Sequence, residues 1–216
     1  MALDTVDEYR NRLSDVPVLP SFRYVKPYTE NRRVLDLGCG TGNYLSFFSK
    51  DSVGIDASLP NLEMCAQKGL DAREGNLNAP LEFNDREFDV VFCSHVLEHV
   101  EAPIRLLREC NRVLEEAGYG IIGLPTEIGL PNLILNSYWD PVAHPDHLYG
   151  FTLPNLEVLL RETGFILERV FIEPGLIARL RLWFLLDWLQ RIPPRFALWL
   201  SNGYWAIARK QTDLFG

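Results

Sequence analysis

Three glycines, Gly38, Gly40 and Gly42, follow the apolar run "VLDL" in "VLDLGCGTGNYL". Asp36 sits inside that run, and Asp56 ends the next one, "SVGID". A backbone this bare lets a ligand lie directly against peptide groups, and an acid after the second strand can accept from ribose hydroxyls. Nucleotides suit such a loop, and the neighbouring residues say which kind. A dinucleotide fold asks for G-x-G-x-x-G/A, but counted from Gly38 the last position is Asn43, a poor fit to close helix–strand packing and to a pyrophosphate. A P-loop asks for Gly-Lys-Ser/Thr, which does not follow. What remains is G-x-G-x-G between two acids, suited to a nucleoside without an essential phosphate. S-adenosylmethionine has that make-up: a ribose, an adenine and a zwitterionic amino-acid tail.

The histidines are the other residues able to do chemistry. His95 and His99 follow the fourth apolar run, and His144 and His147 lie in "HPDHLYGF". A general base needs a pKa near neutral and reach to its substrate, which His144 and His147 offer; a histidine holding a loop turn is the plain alternative. A metal needs more ligands at defined spacing than Asp146 adds, so no metal is expected. Tyr138, Trp139 and Tyr149 either line an acceptor pocket or anchor their loop. Cys39, Cys65, Cys93 and Cys110 form no CxxC pair and fall inside ordered segments, as reduced thiols of a cytoplasmic protein would.

These residues need a frame. "RVLDLG", "SVGID", "LDARE", "FDVVFCS" and "YGIIGLP" read as strands. "FDVVFCS" lacks polar alternation, as expected of a strand covered on both faces. Helices are expected in "NYLSFFSK", in "LPNLEMCAQKG" with Ser58 as its cap and Gly69 as its stop, and in "APIRLLRECNRVLEEAG" with Ile104, Leu107, Val113 and Leu114 near one stripe. "LPNLEVLLRETG" reads as a further helix, and "FILERVFIE" and "GYWAIARK" as strands. The alternation predicts an open, mostly parallel α/β sheet. Ligands of such sheets bind beyond the carboxyl ends of the strands, where the glycine loop lies.

At 216 residues the chain fits a single domain, and its net charge of −8 argues against a nucleic-acid partner. The charged N-terminus has no apolar centre and does not read as a signal peptide. No uncharged run approaches the ~20 residues of a membrane span. The segment "LIARLRLWFLLDWL" carries Leu, Trp and Phe around most of its circumference. Through residues 176–200 it reads as a buried cap or homodimer helix, a greasy substrate channel, or an edge in peripheral contact with membrane.

Four stretches in order resemble one family. "VLDLGCGTG", "VGIDAS", "FDVVFCSHVLEHV" and "LLRECNRVLEEAGYGIIGLP" are similar to successive motifs of the class I S-adenosylmethionine-dependent methyltransferases, most nearly the small-molecule branch of ubiquinone/menaquinone biosynthesis. "LYGFTLPNLEVLLRETGF" resembles that family's penultimate helix. The resemblance covers residues 33 to about 173 and the last strand. It implies a Rossmann-like seven-stranded sheet of order 3-2-1-4-5-7-6, the last strand antiparallel, with helices on both faces and a helical cap. It also implies one methyltransferase domain over 1–216, an N-terminal helical lid at 1–30, and variable acceptor-side segments at 126–152 and 174–202.

The resemblance further implies the site. S-adenosylmethionine, leaving as S-adenosylhomocysteine, would contact Asp36, Gly38, Cys39, Gly40, Gly42, Asp56, Ala57, Asn76, Leu77, Ser94 and His95. Asp36 would orient the amino group, Asp56 the ribose, and Asn76 the adenine amino group in place of the family's usual acid. Leu77 either packs on the adenine or fills core, and His99 reads as structural. The acceptor would be a small, partly apolar molecule methylated on O, N or C by in-line displacement, which proximity and orientation can accelerate without a triad or metal. Other readings stay open: a methyltransferase acting on a protein or RNA group, or a non-catalytic protein that binds the nucleoside. The run after the fourth strand, Ser94-His95-Val96-Leu97, carries neither the Asn/Asp-Pro-Pro-aromatic sequence of exocyclic-amine enzymes nor the Pro-Cys of cytosine-carbon enzymes.

Overall fold

The computed structural model describes residues 18–126, 147–173 and 184–211. Among these residues seven strands form one sheet: β1 (Val34–Leu37), β2 (Val53–Asp56), β3 (Ala72–Glu74), β4 (Phe88–Ser94), β5 (Leu114–Pro125), β6 (Phe165–Glu173) and β7 (Gly203–Lys210). Their order is β3-β2-β1-β4-β5-β7-β6. β1, β2, β3, β4 and β5 pair in parallel, and β7 runs antiparallel to both β5 and β6. The sheet is the one the family resemblance implies. Because β6 is antiparallel to β7, its carboxyl end falls on the same edge as those of β1, β2, β4 and β5.

Alternation along β4 splits the core in two. Phe88, Val91 and Cys93 enter one cluster with Leu106, Leu107 and Cys110 of helix α3 (Pro103–Val113) and Leu156 and Leu160 of α4 (Leu153–Glu162). Val90 and Phe92 enter the other with Phe22 and Val25 of α1 (Phe22–Val25), Cys65 of α2 (Leu59–Gln67) and Trp205. A strand with a helical layer on each face has no solvent side, which accounts for the unbroken apolar run "VVFC" after the exposed Asp89. The central aromatic group of the second cluster is close-packed: Phe92 lies 5.3 Å from Phe48 and from Trp205, centroid to centroid.

Three local expectations need correction. "NYLSFFSK" forms only a 3-10 turn, Leu45–Phe47. Phe48 leaves it in an extended conformation, which puts its ring against Phe92, and that packing outweighs the weak helix propensity of a short aromatic run. The helix expected to run through Gly118 stops at Val113, because Leu114 already pairs with Phe88 in the sheet. Ile104 is consequently exposed, and Leu106, Cys110 and Val113 with Leu107 make the buried stripe. Ser58 precedes α2 but its hydroxyl makes no cap hydrogen bond.

Of the segment expected as a lid, residues 18–28 form α1 and a 3-10 turn (Lys26–Tyr28), held to the sheet by Phe22 and by the Trp205 indole donating to Ser21 Oγ at 3.0 Å. In the second variable segment, α5 (Phe184–Leu189) and α6 (Pro194–Ala197) lie beside β6. Gln190 donates to and accepts from the Ile172 backbone at 2.9 Å in both directions, satisfying an edge strand with a side chain. Asp187 joins Arg23 and Tyr24, tying α5 to α1. His144, Tyr138 and Trp139 lie outside the described residues, as do residues 1–17 and most of 126–152. No helix among the described residues is long and apolar enough to cross a membrane.

Candidate functional site

β1 leads straight into the glycine loop, and all three glycines have positive φ (67°, 54° and 78°). At Gly38 a Cβ would come within 2.4 Å of Val96 Cγ2, and at Gly42 within 2.5 Å of Leu70 Cδ1. Both glycines are therefore required by conformation and by space. Asp56 at the end of β2 pins this loop. Its Oδ2 accepts from the Gly40 amide at 2.8 Å, and its Oδ1 accepts from the Ser58 amide at 2.8 Å and from Asn61 Nδ2 at 3.2 Å. A carboxylate offers about four acceptor positions. Three are filled from within, so a ribose taking both its hydroxyl bonds here would displace Asn61, a residue the sequence reading did not single out.

Asp36 lies beneath the same loop, almost fully buried, and its Oδ2 has no hydrogen-bond partner among the described residues. Burial first, and the Asp56 charge second, push its carboxyl well above the usual carboxylate range. Such an oxygen is satisfied by a cationic N–H donor, the kind of group an amino-acid tail carries. Cys39 is different. Its amide donates to Ile55 O at 2.9 Å, its carbonyl accepts from Gly42, and its thiol packs in the core against Gly54. It shapes the loop but presents no polar group to the cradle. Asn76 Oδ1 accepts from the Asn78 amide at 2.9 Å, closing a turn while one lone pair stays available. Leu77 packs against the first core cluster. Ala57, between Asp56 and Ser58, is exposed.

Beyond β4 the surroundings change. His95 has φ +52°, and its amide donates to Gly123 O at 2.9 Å. Its Nδ1 stands 3.5 Å from Glu98 Oε1 and its Nε2 3.5 Å from Glu173 Oε1, at the end of β6. Burial alone would lower the imidazole pKa, but Glu173 and Glu98 outweigh it and hold it up at about 10. Glu98 is completely buried, and its carboxyl is held below the usual range by His95 and then His99, against the upward pull of burial. His95 is therefore an imidazolium at neutral pH, bracketed by two acids, rather than a free base.

His147 docks on the same turn. The Leu148 and Tyr149 amides both donate to Glu98 O, the Tyr149 hydroxyl donates to Glu101 O at 2.9 Å, and the His147 ring meets His99 edge-on at 4.8 Å. Glu98, His99 and His147 bring ligand-type atoms within 4.8 Å of one another. A tetrahedral ion would draw such atoms to about 3.4 Å. The sequence thus pointed to His95, His99 and His147 separately. It missed Glu98 and Glu173 as their partners. A buried acid between two histidines in "HVLEHV" was the available signal for the first, and nothing local marks the second.

Residues 35–122 match the family model described as a methyltransferase domain. Over these residues the chain is similar to that family, and its sheet order is the one the class I methyltransferase resemblance implies. The match begins in β1 and ends in β5, so it takes in the glycine loop, Asp56 and the His95–Glu98 turn. Among curated relatives, a ubiquinone biosynthesis O-methyltransferase of Paracidovorax citrulli is 31% identical over 100 residues, 42% of this chain and 42% of the relative. A probable tRNA methyltransferase 9B of Homo sapiens is 37% identical over 90 residues, 39% of this chain and 19% of the relative. The chain spans under half the length of these curated relatives. A SAM-dependent methyltransferase from Archaeoglobus fulgidus superposes with a TM-score of 0.66 at 24% identity, covering 93% of this chain and 94% of that one, a likeness of fold.

Proposed function

We propose that this protein is an S-adenosylmethionine-dependent methyltransferase acting on a small, partly apolar acceptor at O, N or C. The observation that carries the reading is the buried, unpartnered Asp36 oxygen beneath a glycine loop that Asp56 holds open. S-adenosylmethionine is the cofactor, and when bound it supplies a methyl group already activated on a sulfonium. The chain's own part is binding and alignment. Asp36 holds the amino group, Asp56 and Asn61 the ribose, Asn76 and Leu77 the adenine, and Gly38, Gly40 and Gly42 let the tail lie against the loop, with Ala57 and Ser94 at its borders. His147 is the candidate base on the acceptor side, with His144 beside it in sequence. The acceptor pocket is completed by residues 126–152 and 174–202. Exposed Trp188, Phe196 and Trp199 suit residues 176–200 to peripheral membrane contact or a homodimer. The place of action is cytoplasmic.

The relative named for tRNA supports a second reading, an RNA acceptor, but the net charge of −8 works against a phosphate footprint. Calorimetry with S-adenosylhomocysteine tests the site. Wild type binds, and Asp56→Ala binds roughly 100-fold more weakly or worse. Unchanged affinity in Asp56→Ala would overturn the assignment.

A further inference from the structure

Five buried side-chain atoms lack a hydrogen-bond partner among the described residues: Asp36 Oδ2, Glu98 Oε1 and Oε2, Glu173 Oε1 and Asn202 Oδ1. All five are oxygens. All lie on one edge of the sheet, since Asp36 is in β1, Glu98 follows β4, Glu173 ends β6 and Asn202 precedes β7, whose first residue Gly203 pairs with Pro125 and Glu173. Buried acceptors without donors are costly, and native proteins rarely leave them so. Asp36 is accounted for by the donor's amino group. Of the remaining four, Glu98 Oε1 and Glu173 Oε1 face the His95 nitrogens only at 3.5 Å, and Glu98 Oε2 and Asn202 Oδ1 have no donor among the described residues.

Charge narrows the choice. Glu98 and Glu173 are two carboxylates that bracket His95; His99 Nε2 stands a further 4.0 Å from Glu98 Oε1, whereas Glu173 faces His95 alone among the described imidazoles, so the acids dominate on the Glu173 side. Glu98 has no exposed side-chain surface and Glu173 has 9%, whereas His95 has 37%, so the cluster opens outward at the His95–Glu173 contact. An anionic acceptor is repelled there. A phenol fares little better, because the anion it must form to attack is opposed by the two carboxylates.

We infer that the Glu98–His95–Glu173 cluster is the acceptor seat and that the acceptor group it takes is an amine. The inference rests on the methyltransferase reading. The amine arrives as an ammonium and passes a proton to the Glu173 carboxylate; the neutral nitrogen then forms the bond to the methyl carbon, and the carbon–sulfur bond breaks with its electron pair staying on sulfur. Positive charge passes from sulfur to nitrogen beside the cluster, and the proton on Glu173 leaves to water after release. Glu98, which stays ionised, stabilises charge where it arrives.

The test gives the full-length protein and methyl-labelled S-adenosylmethionine to a small-molecule cell extract. Products are split on an ion exchanger into basic, neutral and acidic fractions. Label is expected in the basic fraction. With the labelled amine then isolated, Glu173→Gln is expected to raise KM about tenfold or more, since a charged hydrogen bond is lost. S-adenosylhomocysteine affinity, which reports folding and the donor site, is expected to change far less than the amine KM, because Glu173 reaches the donor residues only through the His95 imidazole. Label in the neutral or acidic fraction, or an unchanged amine KM in Glu173→Gln, overturns the seat. Binding of S-adenosylhomocysteine with no label in the basic fraction overturns the seat alone, whereas no binding at all by wild type overturns the methyltransferase reading with it.

Discussion

The two halves of the carboxyl edge solve opposite problems. Around β1 and β2 the glycine loop is fixed before any ligand arrives: Asp56 takes three N–H donors, and only Asp36 Oδ2 is left without a partner among the described residues. Around β4 and β6 the polar groups are left with oxygens unpartnered, against the imidazoles of His95 and His99. The first half is a rigid mould, and its shape selects one ligand. The second is a charged recess, and its sign selects a class of ligand. A fold can carry many acceptors on one donor because the mould and the recess are built by different elements.

The sharpest way to break the comparison is at Asp56. Removing its carboxylate with Asp56→Ala frees Gly40, Ser58 and Asn61 together, and should weaken S-adenosylhomocysteine binding by roughly 100-fold or more, about 3 kcal/mol. An effect under about threefold would mean that the loop is held by its glycines alone. Gly38→Ala attacks the same mould sterically. A Cβ 2.4 Å from Val96 on a backbone at φ +67° should cost about 2–3 kcal/mol of stability in urea unfolding. Adding Val96→Ala to Gly38→Ala should recover the steric part and leave the conformational part, about 1 kcal/mol.

The halves also differ in how pH reaches them. His95 is raised from 6.5 to about 10, so its stabilising charge is complete below 6.5 and is lost as pH rises through about 10. Thermal midpoints should fall across that window in wild type and less in His95→Gln. Asp36 is raised as well, but from 3.8, so its neutral form stabilises the free protein at low pH and the benefit fades as pH climbs above that value. A cationic amino group at Asp36 reverses the preference. Binding of S-adenosylhomocysteine should therefore release up to about one proton within the window above 3.8, measurable as a dependence of binding heat on buffer ionisation enthalpy. Asp36→Asn should abolish the release; its persistence would assign the proton elsewhere.

The mould was far more legible in the sequence than the recess. Gly38, Gly40, Gly42 and Asp56 sit close along the chain, and their roles follow from backbone geometry, which residue type reports directly. β4, β6 and β7 were legible for a related reason, since strands covered on both faces or paired along their length need long apolar or β-branched runs. The recess joins the turn after β4 to the end of β6 through the crossed order β5-β7-β6. Glu173 at the end of "FILERVFIE" looks like any surface acid until the sheet order sets it against His95. The helix boundaries failed where tertiary contacts won. Leu114 follows a helical stripe in sequence but is claimed by Phe88, and Phe48 is claimed by Phe92.

The smallest effect separates sequence expectation from structure most cleanly. Ser58 stands at the N-cap of α2 with extended backbone angles, and a serine there ordinarily contributes about 1 kcal/mol through its hydroxyl. That hydroxyl makes no cap bond, while the Ser58 amide donates to Asp56 Oδ1. The acid of the mould also serves the start of the helix. Ser58→Ala should thus change stability by less than about 0.5 kcal/mol in urea unfolding. A loss near 1 kcal/mol would return the capping role to Ser58 and confine Asp56 to the loop.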